Sequence, residues 1–179
     1  VTILDIRRVG DPVLRKVADP VLQFDEELKT LIGDLRETLE QSRGAGLAAP
    51  QLGVGLRVFA FAPQLSDGQI DYLVNPVLEF PDEEVQDGPE GCLSIPGVYF
   101  DTRRRKNVIA KGFTRHGDPV QLVGEGLLAR CFQHETDHLD GVLFIDHQPA
   151  AKREQLLTMV RDAGWFDGLD DPKIKVSPH

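Results

Sequence analysis

The segment Gln133-His134-Glu135-Thr136-Asp137-His138 constrains this chain more than any other. Histidines four apart on a helix project about 40° from one another at ~100° per residue, so one helix can bring two imidazoles to one cation. Glu135 lies ~100° round from His134, near enough to address a water at the same place. The spacing therefore offers two ligands and a general base from a single element. Leu127, Leu128 and Cys131 fall in the same arc of the wheel. That predicts an apolar cleft floor, where electrostatic interactions are strong.

A catalytic site of this kind needs a third protein ligand and an open position. The extended HExxHxxGxxH pattern fails, because Phe144 stands where its last histidine belongs. Glu154 would supply a carboxylate from the next predicted helix, although an acidic residue near a helix N-terminus is expected anyway. Cys92, in Pro89-Glu90-Gly91-Cys92-Leu93-Ser94-Ile95-Pro96, would supply a thiolate, a soft ligand suited to iron, zinc, nickel or cobalt. A lone cysteine is also often a buried small hydrophobe. The spacing leaves Cys92 and Glu154 both open.

The rest of the chain bounds the frame around that helix. A length of 179 residues suits one domain with its own core. The formal charge of −9 argues against a general nucleic-acid binder, which normally shows a basic footprint. No run is apolar enough to span a bilayer, and the N-terminal residues carry no secretory signal, so a cytoplasmic protein with reduced Cys92 and Cys131 is expected. Apolar spacing at Leu28, Leu31, Ile32, Leu35 and Leu39 predicts a helix over 25–41, stopped at Gly44. Strands are expected over 56–62, 72–80, 99–113 in pieces and 120–123, then helices over 125–139 and 149–163. Helices at both ends of a strand-rich middle indicate an α+β single domain: a catalytic domain over 1–165 with a central metal helix and a C-terminal helix, and a loosely ordered tail over 166–179.

Three separated blocks complete the reading. Gly44-Ala45-Gly46-Leu47-Ala48-Ala49-Pro50-Gln51, Glu90-Gly91-Cys92-Leu93-Ser94 and Gln133-His134-Glu135-Thr136-Asp137-His138-Leu139-Asp140-Gly141 resemble, in order and separation, the three motifs of peptide deformylases. Gly10-Asp11-Pro12-Val13-Leu14-Arg15 is similar to the family's opening, so the resemblance runs to about Asp146. It implies one divalent metal, Fe2+ expected and Zn2+, Ni2+ or Co2+ able to replace it, held by Cys92, His134 and His138. It further implies Glu135 as acid–base group, with Gln51 and the Leu93 backbone N–H as donors to a developing oxyanion. N-formylmethionyl peptides would bind as an added strand on Ala45, Gly46 and Gly91.

Two positions depart from the family pattern. Ala45 replaces a bulkier aliphatic residue, which widens one wall of the cleft. Arg130 stands where an aliphatic residue lines the methionine pocket, and its stem is expected to follow the pocket while its charge reaches the rim. The run Arg103-Arg104-Arg105-Lys106 reads as a solvated strand or turn, with one arginine available to a buried Glu90. Lys152, Arg153 and Arg161 on the last helix suggest transient ribosome contact, as that element makes in the family. Two rivals remain: an HExxH metallopeptidase with a carboxylate ligand, and a non-catalytic binding module on the same fold.

Overall fold

A computed structural model describes residues 2–162. The first long element, α1 (Glu26–Ser42), is capped by Asp25, whose carboxylate accepts the Leu28 N–H at 3.1 Å, and Glu26 and Glu27 favour its dipole. The face Leu28, Leu31, Ile32, Leu35 and Leu39 is buried against one side of a sheet. The helix stops one residue earlier than Gly44. Arg43 takes the left-handed conformation, φ 55°, and its N–H caps the Glu40 carbonyl. Gly44 is needed for something else: a Cβ there would lie 2.7 Å from Leu93 Cδ1.

The strands follow as β1 (Gly46–Ala48), β2 (Val58–Phe61), β3 (Tyr72–Glu79), β4 (Val85–Gln86), β5 (Pro89–Cys92), β6 (Ile95–Asp101), β7 (Arg104–Arg105), β8 (Asn107–Phe113) and β9 (Pro119–Glu125). Five of them form an antiparallel sheet in the order β1-β2-β3-β8-β9, while β4 pairs with β7 and β5 with β6. Strands β1, β4 and β5, and the first half of β6, were not legible as strands. β1 and β5 each hold one glycine, and among the described residues each has a strand partner on one side only.

The central helix, α2 (Leu127–Leu139), is buried nearly all round. Phe132 anchors it to the sheet, with ring centroids 5.2 Å from Phe61 and 6.1 Å from Phe59. Gly124 on β9 leaves the room, since a Cβ there would stand 2.9 Å from the Phe132 ring. Gly141 ends the helix at φ 74°, pressed on the Arg15 carbonyl so closely that a Cβ would meet its oxygen at 2.6 Å. Beyond it, α3 (Ala150–Asp162) buries Leu156 in a third apolar cluster that also takes in Cys92 and Phe144. Among the described residues no helix is long and apolar enough to cross a membrane. The tail expected over 166–179 lies outside the described residues.

Candidate metal centre and cleft

Cys92 ends β5, and His134 and His138 lie one turn apart on α2. One ligand atom from each falls within 4.8 Å of the others, with Cys92 Sγ 3.3 Å from His138 Nε2. Glu154 is exposed on α3 and no part of this group. Phe144, which denied a third histidine, is buried and stacks on the His134 ring at 6.2 Å.

The rear of His134 is fixed by Glu90, whose Oε2 lies 2.8 Å from Nδ1. Burial alone would raise the Glu90 carboxyl, but hydrogen bonds from His134 and Arg104 outweigh it and hold the group well below the usual carboxylate range. An ionised Glu90 requires Nδ1–H as donor, so Nε2 is the nitrogen left to bind an ion, which would take the place of its proton. The two imidazoles are driven in opposite directions. Burial disfavours charge on His134, yet the Cys92 sulfur, Glu90 and Glu135 raise its pKa well above the ordinary value. His138 is lowered by burial first and by His134 second. A sulfur and two imidazoles so arranged favour one added positive charge, and the soft donor set fits a divalent transition metal.

Glu135 faces the same place. Its Oε1 is 4.0 Å from His134 Nε2, and its buried Oε2 has no hydrogen-bond partner among the described residues. Burial pushes its carboxyl up to about 7, and the charge on Glu90 also raises it while His134 opposes. The backbone of Gly46 presses on it: a Cβ would lie 2.8 Å from Glu135 Cγ and Oε1 and 2.7 Å from Cys131 Sγ. Gly46→Ala is accordingly expected to push the carboxylate aside and lower kcat by about 10²-fold, the typical cost of ~1 Å of misplacement. Formate release measured beside unchanged metal content would check this, and wild-type kcat would refute it.

Gln51 follows β1 in a short 3-10 helix, fully buried. Its Oε1 accepts the Ala48 N–H at 2.9 Å, which orients the amide so that Nε2 donates to Ser94 Oγ at 3.0 Å and stands 3.8 Å from Cys92 Sγ. Leu93 follows Cys92 in the β5–β6 turn. Gly91 lies under Tyr99, where a Cβ would meet the ring at 2.4 Å. The Ala45 carbonyl accepts the Ala62 N–H at 2.8 Å. Ala45, Gly46, Gly91, Leu93, Arg130 and Glu135 all line one cleft of about 330 Å³ between β1 and β5.

Three expectations need correcting. Leu127 borders the cleft but is exposed, because it sits in the first turn of α2 at the rim; Leu128 is partly buried in the aromatic cluster under the sheet. Arg130 does not send its charge outward. It is only 6% exposed, and its Nη1 donates to Glu90 Oε1 at 2.8 Å and to the Thr102 carbonyl at 2.7 Å. A fixed acceptor pair inside outweighs rehydration at the rim. The basic run is solvated only in part: Arg103 pairs with exposed Asp87, whereas Arg104 is the arginine that reaches buried Glu90, forked onto it at 3.0 and 2.7 Å and bonded to Asp137 at 2.6 Å. Ser94, Tyr99 and Asp137 gave no separate signal in the sequence, since each matters through a partner distant along the chain.

Fold and donor set together define the class: an α+β metalloenzyme whose cleft places a Cys/His/His group beside a buried carboxylate. The sequence profile of the polypeptide deformylase family matches residues 3–154. A peptide deformylase of Parafrankia sp. is 52% identical over 178 residues, covering 99% of this chain and 96% of that protein. One from Acidothermus cellulolyticus is 52% identical over 174 residues, covering 97% and 93%. Among solved structures, the peptide deformylase of Legionella pneumophila superposes with a TM-score of 0.83 at 40% identity, covering 96% of this chain and 99% of that one. That of Synechococcus elongatus in complex with actinonin gives 0.80 at 39% identity, covering 88% and 86%. The chain belongs to the polypeptide deformylase family, enzymes that remove the N-formyl group from nascent peptides.

Proposed function

We propose that this chain removes the formyl group from N-formylmethionyl peptides with Cys92, His134 and His138 as metal ligands and Glu135 as the acid–base group. The observation that carries the reading is the convergence of three ligand atoms within 4.8 Å beside a buried Glu135 oxygen that has no partner among the described residues. The expected ion is Fe2+, with Zn2+, Ni2+ or Co2+ able to replace it in purified protein. When bound, it supplies Lewis-acid polarisation and lowers the pKa of a water it holds.

The remaining work falls to the protein. Glu135 takes a proton from the attacking water and returns one to the departing amine. The Gln51 Nε2–H and the Leu93 backbone N–H donate to the formyl oxygen as it becomes negative, each such donor being worth about 2.7–4 kcal/mol of barrier. Ser94 and Ala48 hold the Gln51 amide in one orientation, so it has no reorganisation to undergo at that moment. The peptide lies extended between β1 and β5, on the main chain of Ala45, Gly46 and Gly91, where each strand has an open side. The Arg130 stem walls the pocket for the methionine side chain. Newly made chains carry the substrate, so a cytoplasmic enzyme fits this reading, and Lys152, Arg153 and Arg161, spread round α3, are the cationic side chains available for transient ribosome contact.

The test is formate release from a formyl-Met peptide, with metal analysis, under anaerobic reducing conditions that protect Fe2+ and Cys92 from oxidation. Metal-loaded protein should release stoichiometric formate. Metal without formate, in wild type and Glu135→Gln alike, would instead indicate a binding module.

A further inference from the structure

The carboxylate behind His134 is held by more than orientation requires. Glu90 Oε1 accepts from Arg104 Nε at 3.0 Å and from Arg130 Nη1 at 2.8 Å; Oε2 accepts from Arg104 Nη2 at 2.7 Å and from His134 Nδ1 at 2.8 Å. Arg104 alone would fix the carboxylate in a two-point fork. The second guanidinium adds charge. Two buried arginines, Arg104 and Arg130, then face two carboxylates, Glu90 and Asp137, and the cluster behind the metal ligand is neutral. The neighbours change little: His147 on Asp137 is 41% exposed, and Asp87 is exposed and already paired with Arg103.

Neutrality here has a direct consequence for the ion. A carboxylate bonded to Nδ1–H makes the opposite nitrogen a stronger donor. An uncompensated negative charge in that position would strengthen His134 further, hold the cation more tightly and reduce its power as a Lewis acid. We propose that Arg130 is a positioning residue of the metal centre: by sharing Glu90 with Arg104 it limits the charge pressed on His134, and so sets how tightly the ion is held. Because its stem also walls the cleft, one side chain joins the substrate pocket to the metal's outer shell. The inference rests on Cys92, His134 and His138 holding the ion.

Cobalt-loaded protein reads the effect without relying on turnover. In Arg130→Met the cluster carries one excess negative charge, and Co2+ should pass to a chelator about tenfold more slowly, within the ~10–100-fold range of outer-shell effects. The visible Co2+ absorption should shift, and kcat should fall more than KM changes. Glu90→Gln leaves one excess positive charge and should release Co2+ faster. Arg130→Lys keeps the charge and should restore wild-type release, and the neutral Glu90→Gln/Arg130→Met pair should release Co2+ more slowly than Glu90→Gln alone. An unchanged spectrum and release rate in Arg130→Met would reduce Arg130 to a wall of the pocket. Faster release would make it a mechanical brace; either result overturns the proposal. Should Arg130→Met fail to fold, the double variant decides: release slower than in Glu90→Gln supports charge balance, and release equal to it or faster refutes it. Wild type that binds no Co2+ would instead remove the metal reading itself.

Discussion

Glu135→Gln is expected to keep its metal and lose about 10²–10⁴-fold in kcat, the usual contribution of a positioned acid–base group. Metal retention follows from geometry, since Glu135 stands outside the Cys92, His134 and His138 group. Glutamine has nearly the same shape, so it fills the space under Gly46 without the clash that a methyl at that glycine would cause. What the substitution removes is the ability to take a proton. The same logic gives the pH dependence. Burial pushes the carboxyl up to about 7, but a cation held by Cys92, His134 and His138 would favour the ionised form and bring it back down. Activity requires the carboxylate, so kcat/KM should fall as pH drops through an ionisation below 7, and that limb should vanish in Glu135→Gln. Formate release against pH, with metal content measured on the same samples, decides it. Near-wild-type turnover of the glutamine variant would transfer the base role elsewhere.

The metal helix was legible because its chemistry is local. Residues 134, 135 and 138 are neighbours on one helix whatever the rest of the chain does, so spacing alone places them on one face. The long helices were legible for the same reason, through apolar periodicity. Cys92 could be tied to the histidines only through the family's motifs, because it meets them across 46 residues of chain in the link to His138. The parts that were misread all depend on contacts made after the chain has folded. Arg104 sits in a run of four basic residues that reads as solvated with one arginine available to Glu90; which arginine turns inward is decided by Glu90 and Asp137, 14 and 33 positions away. Arg130 looked free to reach the rim, and only the position of Glu90 and the Thr102 carbonyl turns it inward. The edge strands β1 and β5 are short and glycine-bearing, which hides them from any propensity argument. Their glycines record close approach, by Glu135 in one case and Tyr99 in the other, and sequence gives a glycine no means to name what approaches it.

Cys92→Ala should abolish metal binding, while Glu154→Ala should leave it intact. The contrast isolates the third ligand, the one element that helix geometry left open. Glu154 points to solvent on α3, so its removal touches nothing in the site. Cys92 packs with Ile95, Val98 and Phe144, and losing its sulfur removes about one methylene's worth of buried apolar volume, ~0.8 kcal/mol, which a domain of this size tolerates. The metal-free variant should therefore stay folded. The ion is then left with two imidazoles, and the loss in affinity should exceed the ~10–100-fold that outer-shell partners command. A bound ion stabilises the folded state by mass action, about 4 kcal/mol at a thousandfold excess over Kd. Added Co2+ should thus raise the melting temperature of wild type and of Glu154→Ala, and leave that of Cys92→Ala where it was. If the alanine variant at 92 still melts higher with the ion present, the sulfur is a packing atom and a carboxylate must complete the site.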